Sequence, residues 1–165
     1  MIENFVFCVF CEASWESKIE EFLKKLGYNS VISALVERNI YKHGKFVKVL
    51  RSIIPGYVFF ENDNEPDWNK ICSHKHIYYP LQYLDNDKRL RTNDLHFVKW
   101  LKGNNGKISI SKVRKIGNKI KIVDGPLKEL EGRIVKINKK QKCAGIKIEG
   151  EGIKNIIWLS YETIE

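Results

Sequence analysis

The stretch that most constrains the fold is a strand whose two faces are both apolar. Pro55-Gly56 turns the chain, and Tyr57-Val58-Phe59-Phe60 follows at once. The β-branched and aromatic run after the turn predicts a strand from Tyr57 to Glu61. Because side chains alternate along a strand, Tyr57 and Phe59 share one face and the other two share the opposite face. A strand with one face in solvent would carry polar residues on that face. The pattern therefore requires both faces to be buried, either by other layers of the same chain or by a partner.

The length and composition fit one or two small domains with a core. The chain has 165 residues, of which 43% are apolar and 12% are aromatic, so it is not a disordered chain. It holds no run of about 18 apolar residues of the kind that spans a membrane. Met1-Ile2-Glu3-Asn4 lacks the basic and apolar order of a signal peptide, so we expect a cytoplasmic protein.

The four cysteines do not form a metal-binding pattern. Cys8 and Cys11 make a C-x-x-C within a predicted strand, where residues three apart point to opposite faces. No second such pair completes four ligands, so buried free thiols are expected. His74 and His76 are placed to share a strand face, but two histidines without a third ligand are weak evidence for a site. No metal or cofactor is predicted.

The positive charge is concentrated in the last third of the chain. The net charge is +9; residues 112–165 hold 13 Lys and Arg against 7 Asp and Glu, which gives +6. A basic module of this kind fits contact with phosphates, and a solvated surface that favours solubility is the alternative.

The first hundred residues predict helices on an antiparallel sheet. Residues 5–11 read as a strand, and an apolar stripe at helical spacing follows Ser14, which is suited to cap the helix that Gly27 ends. The other predicted elements are an extended stretch over 31–41, a basic hairpin with its tip at 43–45 and its return at 46–53, a short helix opened by Pro66, a strand over 77–84 and a helix capped by Asn93 or Asp94. The hairpin arm carries the cations Arg38, Lys42, Lys45, Lys48 and Arg51. This order predicts an α+β sandwich.

A Gly- and Asn-rich stretch interrupts this pattern. Residues 103–115 read as linker, with the boundary placed at 104–112. Short β runs follow over residues 119–123, 133–138, 143–149 and 155–159. Several short strands in about 50 residues predict a small barrel.

The glycines and apolar residues of the last third form one ordered pattern. It reads Gly117-x-x-Ile120-x-Ile122-x-Asp124-Gly125-Pro126-Leu127-x-x-x-x-Gly132-x-Ile134-x-x-Ile137. This pattern resembles the KOW motif, which implies a small SH3-like β-barrel over residues 113–165.

The N-terminal half resembles the NGN domain of NusG-type transcription factors. The resemblance is carried by the aromatic first strand, the Trp15-Glu16 helix start, the strand after Pro55-Gly56 and the Trp68 region. It implies an NGN α/β sandwich over residues 1–103 that binds the clamp helices of RNA polymerase and suppresses pausing. By motif position, the docking patch would include Ile54, Tyr57 and Phe59, with Trp68 and Asn69 near the opposite jaw.

The same resemblance implies contacts with nucleic acid. Trp15 and Lys18 at the helix start, with Lys42 and Lys45 in the hairpin, would face upstream DNA or the non-template strand. We also expect basic residues of the barrel to hold nascent RNA. These are Lys121, Arg133, Lys136, Lys139, Lys140 and Lys142.

One departure from the general factor points to a specialised paralogue. After the fourth barrel strand, where the general factor carries Phe-Gly-Arg within a surface for Rho or the ribosome, this chain has Glu149-Gly150-Glu151. We therefore expect an operon-targeted antiterminator similar to LoaP or RfaH, acting as a monomer. A general NusG-type elongation factor and a ribosomal or RNA-binding KOW protein are the alternatives. No phosphate-binding loop or nucleophile motif predicts an enzyme.

Overall fold

The computed structural model describes residues 4–164. The prediction drawn from the chain start, at Met1 to Glu3, lies outside the described residues. The described chain forms two compact units. The first contains the residues up to Ser33, Ile54–Trp100 and Gly150–Ile153; the second contains Ala34–Ile53, Leu101–Glu149 and the residues from Lys154 onward.

The described chain has a mixed α+β fold that is mostly sheet, with few helices. The strands are β1 Phe5–Cys11, β2 Asn29–Ile32, β3 Leu35–Lys42, β4 Lys45–Ser52, β5 Tyr57–Asn62, β6 Ile77–Pro80, β7 Lys107–Ile108, β8 Ser111–Ile116, β9 Lys119–Asp124, β10 Ile134–Asn138, β11 Cys143–Glu149 and β12 Lys154–Thr163. The helices are α1 Glu16–Lys25, α2 Trp68–Cys72, α3 Thr92–Gly103 and the single turn α4 Pro126–Glu129. A 3-10 turn, Glu131–Arg133, precedes β10.

A four-stranded sheet in the order β2-β5-β1-β6 forms the centre of the first unit. The strands β1 and β5 pair antiparallel, as do β1 with β6 and β2 with β5. Helix α1 buries Ile19 and Leu23 in a core with Val58 and Phe60 of β5. The predicted strands at residues 5–11 and 57–61 are therefore confirmed, and α1 belongs to the layer that covers one face of β5.

The predicted cap of α1 is wrong, while its predicted end is confirmed. Ser14 lies at φ 78°, and the residue at the N-cap is Trp15, whose side chain makes no capping hydrogen bond to the described backbone. At the other end, Gly27 follows the last turn at φ 95°, the left-handed conformation that glycine adopts without strain.

The Pro-Gly turn before β5 is fixed by a buried carboxylate. The backbone N–H of Gly56 donates to Oε2 of Glu16 at 2.9 Å, and Glu16 is buried. Gly56 has φ 85°, and a Cβ there would lie 2.9 Å from the carbonyl oxygen of Cys11. Only glycine therefore fits this turn without a shift of the backbone.

The segment between β5 and α3 differs from the sequence prediction at three points. The N-cap of α2 is Asp67, whose side chain accepts from the N–H of Lys70 at 3.2 Å. Strand β6 ends at Pro80 rather than at residue 84. Helix α3 begins at Thr92, so Asp94 lies inside its first turn instead of at the cap.

Asp94 binds a loop from the far end of the chain within the first unit. Its carboxylate accepts hydrogen bonds from the backbone N–H groups of Gly152 at 2.8 Å and Ile153 at 2.9 Å. Arg91 makes a two-pronged contact with Glu151 at 3.2 and 3.1 Å. Glu149 and Gly150 are thus followed directly by a tightly bound turn.

The second unit contains two sheets. The hairpin of β3 and β4 pairs over its whole length, and β7 joins β3 in parallel, giving the order β4-β3-β7. The predicted hairpin tip is confirmed: His43 and Gly44 connect the strands with φ of 52° and 82°, the positive values that a tight two-residue turn requires.

The other sheet of the second unit has five strands in the order β10-β11-β12-β8-β9. Its strands pair antiparallel except β12 and β8, which run parallel. The order leaves β10 and β9 at the two ends, so closure into a barrel remains a prediction. The residues predicted as linker contain β7 and the start of β8, and the functional boundary at 104–112 also stays a prediction.

Candidate functional site

Three aromatic side chains form a row across the first unit's sheet. Phe10 of β1 is opposite Tyr57 of β5 on one side and Tyr79 of β6 on the other. The ring centroids lie 4.8 Å apart for Phe10 and Tyr57 and 5.1 Å apart for Phe10 and Tyr79. Phe10 and Tyr57 are half-buried, and Tyr79 is 60% exposed. We call these three residues the aromatic row.

The other two residues of the predicted docking patch are buried. Ile54 and Phe59 are 2% and 0% exposed. Phe59 points to the same face as Tyr57, but the ring of Phe97 from α3 packs edge-on against it, with centroids 6.3 Å apart. In this structure, Tyr57 is therefore the accessible member of these three residues, and a docking role for the patch stays a prediction.

Of the two polymerase-binding residues predicted at the start of α2, Trp68 packs on the core and Asn69 lies on the surface. Trp68 packs against Phe7 and Phe60, with centroid separations of 5.6 and 6.0 Å, and its indole N–H donates to Glu65 at 2.7 Å. Asn69 is exposed. Core packing therefore accounts for Trp68 without a partner.

Trp15 and Lys18 lie together at the start of α1. The ring of His76 stacks on Trp15 with centroids 3.5 Å apart, and Nζ of Lys18 lies 4.3 Å from the Trp15 centroid. Nδ1 of His76 is 2.5 Å from Oε2 of Glu12. His74 and His76 precede β6 instead of sharing a strand face, so that prediction is wrong.

The hairpin and the β10–β11 turn border one groove in the second unit. The groove has a volume of about 560 Å³. Its lining consists of Arg38, Asn39, Ile40, Tyr41, Phe46, Lys140 and Gln141. We call it the basic groove, because these described lining residues include two cations and no carboxylate.

Aromatic rings and further lysines flank the basic groove. Tyr41 and Phe46 are cross-strand neighbours with centroids 5.3 Å apart, and they are 66% and 41% exposed. Nζ of Lys142 lies 5.2 Å from the Phe46 centroid. Lys42 and Lys45 pair one position further along the same hairpin, so their side chains leave its opposite face.

A smaller cavity of about 200 Å³ lies in the same unit and has its own lining. Its cationic lining residues are Lys115, Lys119, Lys139 and Lys142. Lys139 donates from Nζ to the carbonyl of Asn118 at 2.7 Å, which positions its charge at this cavity.

The structure places in one unit residues that the sequence assigned to two ligands. Lys42 and Lys45, predicted to face DNA, belong to the same unit as Lys140 and Lys142, predicted to face RNA. Lys121, Arg133 and Lys136 are exposed but do not line the basic groove. The sequence reasoning missed Tyr41, Phe46, Phe10 and Tyr79, although strand alternation and the hairpin register could have paired the first two.

Buried thiols characterise the C-x-x-C segment. Cys8 and Cys11 are free and buried, and burial raises the pKa of the Cys11 thiol to about 11. Across residues 4–164, no group of three or more His, Cys, Asp or Glu side chains is arranged to hold a metal ion. No helix in that range has the length and apolar character needed to cross a bilayer.

Comparison with known proteins places the fold among those of NusG proteins. No protein-family model and no curated protein matches this chain. Several solved structures do, among them one that describes domain interaction in NusG from Thermotoga maritima. The two chains share 19% identity at a TM-score of 0.50, and the match covers 96% of this chain and 94% of the other. The chain therefore has a NusG-like fold over nearly its full length.

Proposed function

We propose that this chain is a transcription elongation and antitermination factor that binds RNA polymerase and suppresses pausing and termination. The polymerase-binding domain corresponds to residues 1–103, and residues 113–165 form the KOW barrel. The chain acts as a cytoplasmic monomeric binding protein, not as an enzyme, with RNA polymerase and nascent RNA as its partners.

The aromatic row on a NusG-like fold is the observation that carries this proposal. Phe10, Tyr57 and Tyr79 leave apolar ring surface accessible on a sheet whose opposite face is already filled by core. Tyr is enriched at protein interfaces because its ring is apolar and its hydroxyl is polar. The row fits the clamp helices of the polymerase, while the buried ring of Phe59, 6.3 Å from that of Tyr57, supports it.

Operon specificity is the finer part of the proposal. Residues 112–165 carry a net charge of +6, and the basic groove and its smaller neighbour concentrate lysines on one unit. This charge supports contact of the barrel with nascent RNA and of the hairpin with non-template DNA. The Glu149-Gly150-Glu151 segment supports a specialised role similar to that of LoaP or RfaH.

Transcription across an intrinsic terminator tests the proposal. Purified polymerase would be assayed with the wild-type chain on templates with and without the native leader, beside Tyr57→Ala and Tyr79→Ala. Tyr78→Ala is the matched control, because Tyr78 is 59% exposed on the same strand as Tyr79 but lies at the register shift between β1 and β6 and is not part of the aromatic row. We expect leader-dependent readthrough that the first two variants lose and Tyr78→Ala retains.

Two other outcomes would favour the alternatives. Equal readthrough on every template would indicate a general NusG-type elongation factor. An absence of any effect on transcription, with RNA binding retained, would contradict polymerase docking and indicate an RNA-binding KOW protein.

A further inference from the structure

We infer that the basic groove binds a single-stranded nucleic-acid segment and stacks an unpaired base on Tyr41 or Phe46. This inference rests on the proposed nucleic-acid contacts and goes further, because it joins the hairpin and the β10–β11 turn into one site. The groove combines two cations with two aromatic rings in its lining.

Two neighbouring aromatic rings, those of Tyr41 and Phe46, are exposed in a groove that also contains cations. Tyr41 is 66% exposed and Phe46 is 41% exposed, and both line the groove. Exposed aromatic pairs on a soluble surface indicate a binding site when polar or charged groups rim them. Base stacking on aromatic rings accepts any base, because every base has a π-face.

The sign and placement of the charge favour a polyanionic ligand. Arg38 and Lys140 line the groove, and Lys142 lies over the Phe46 ring. A ligand that presents both flat apolar rings and regularly spaced negative charges matches this lining, and a nucleic-acid strand is such a ligand.

The exposed rings favour a single strand over a duplex. Bases in a duplex are already stacked and paired, so exposed rings at the groove would contribute nothing to their binding. The groove volume of about 560 Å³ falls within the range of about 300–1,000 Å³ typical of sites that enclose small ligands. A nucleotide unit splayed from an unpaired strand therefore has room in it.

Fluorescence anisotropy with labelled oligonucleotides tests the inference without polymerase. The full chain would be titrated with a 12-nucleotide uridine RNA, the thymidine DNA of equal length and a 12-base-pair RNA duplex. We expect the single strands to bind more tightly than the duplex. A preference for RNA would identify nascent RNA as the ligand, and a preference for DNA would identify a displaced strand; either supports the groove.

Variants locate the binding. Tyr41→Ala should weaken single-strand binding about 5- to 150-fold, which corresponds to the loss of one stacked base. Tyr41→Phe keeps the ring and should retain binding, so a loss through misfolding would be recognised. Tyr78→Ala, similarly exposed in the other unit, should leave binding unchanged.

The charged part of the groove has its own test. Lys140→Gln should reduce the slope of log affinity against log salt for RNA by about 0.7, the value for one lost phosphate contact. Lys25→Gln, an exposed lysine in the last turn of α1, is the matched control and should leave the slope unchanged.

Equal affinities for Tyr41→Ala and Tyr78→Ala, or a duplex bound as tightly as the single strands, would overturn the inference. Because the titration contains no polymerase, its failure would leave the readthrough result untouched. Conversely, a wild-type chain that binds the single strands but has no effect on transcription would contradict the proposed function alone.

Discussion

The hydroxyl of Tyr83 donates a 2.6 Å hydrogen bond to Oδ2 of Asp94, and both residues are buried. The same carboxylate accepts the N–H groups of Gly152 and Ile153. A Cβ on Gly150 would lie 1.7 Å from Oδ1 of Asp94, so the turn can approach the carboxylate only with glycine there. One side chain therefore holds a turn that is more than 50 residues away in sequence.

We predict that Asp94→Asn lowers the free energy of unfolding by about 1–3 kcal/mol. An amide retains one acceptor oxygen but places an N–H₂ group against a donor, which leaves buried groups unsatisfied. Urea unfolding measures the change. Asp63→Asn, an exposed loop carboxylate, is the control and should stay within about 0.5 kcal/mol of wild type. Equal stabilities for the two variants would contradict the role of Asp94.

The pH dependence of stability should change in Tyr83→Phe. Burial and the hydrogen bond to Asp94 raise the pKa of Tyr83 above its ordinary value of 10. As the pH rises past about 10, the unfolded chain loses this proton before the folded chain does, so stability falls. Urea unfolding at pH 9 and pH 11 should show a smaller loss for Tyr83→Phe than for wild type. Identical losses would show that Tyr83 titrates normally.

The four thiols should differ in their reaction with a disulfide reagent. Cys72 is exposed, whereas Cys8, Cys11 and Cys143 are buried. The raised pKa of about 11 at Cys11 also keeps that thiol protonated at neutral pH. We expect one rapid equivalent in native protein and none in Cys72→Ser. A rapid phase that persists in Cys72→Ser would mean that the C-x-x-C segment is open to solvent.

Gly125→Ala should destabilise the second unit more than Gly132→Ala. Gly125 has φ 105°, and a Cβ there would lie 2.7 Å from Cα and Oγ of Ser111. That hydroxyl accepts the N–H of Leu127 at 2.9 Å, so a shift would also disturb α4. We expect a cost of about 1–3 kcal/mol from the strained backbone. Among the described residues, no heavy atom lies within 4 Å of a Cβ at Gly132, so its substitution should be neutral or slightly stabilising.

Thermal melting followed by circular dichroism checks this pair. A lower melting temperature for Gly125→Ala alone supports the close approach to Ser111. Equal melting temperatures for the two variants would contradict it.

Local patterns predicted many of the elements correctly. The runs of β-branched and aromatic residues predicted the strands at 5–11 and 57–61. Glycine-based turn signals predicted the end of α1 at Gly27 and the hairpin tip at His43. These signals depend on neighbours within a few residues, which the sequence displays directly.

Long-range contacts account for what the sequence did not predict. Asp94 resembled a helix cap, and its true partners are residues 152 and 153, which no local pattern connects to it. Strand β7 pairs in parallel with β3, which is distant in sequence. The local Gly- and Asn-rich composition does not show this pairing, so the segment was predicted to be a linker. The sequence of a strand with two apolar faces does not show which of its side chains the chain's own core covers. In the structure, the ring of Phe97 covers Phe59.

The burial of Phe59 decides which residues can test the docking face. Phe59→Ala would create a cavity in the core and cost about 3–5 kcal/mol of stability, so loss of activity in that variant would report unfolding. Tyr57 and Tyr79 are accessible and can be truncated without that ambiguity.

Direct binding to purified RNA polymerase tests the central claim most closely. The affinities of wild type, Tyr57→Ala, Tyr79→Ala and Tyr78→Ala would be measured by biolayer interferometry at one salt concentration. We predict that the two aromatic-row variants bind about 30-fold or more weakly, as expected when a central interface residue worth about 2 kcal/mol is lost, while Tyr78→Ala binds as wild type does. Unchanged affinity in both aromatic-row variants, or no binding by the wild-type chain, would contradict polymerase docking through this face.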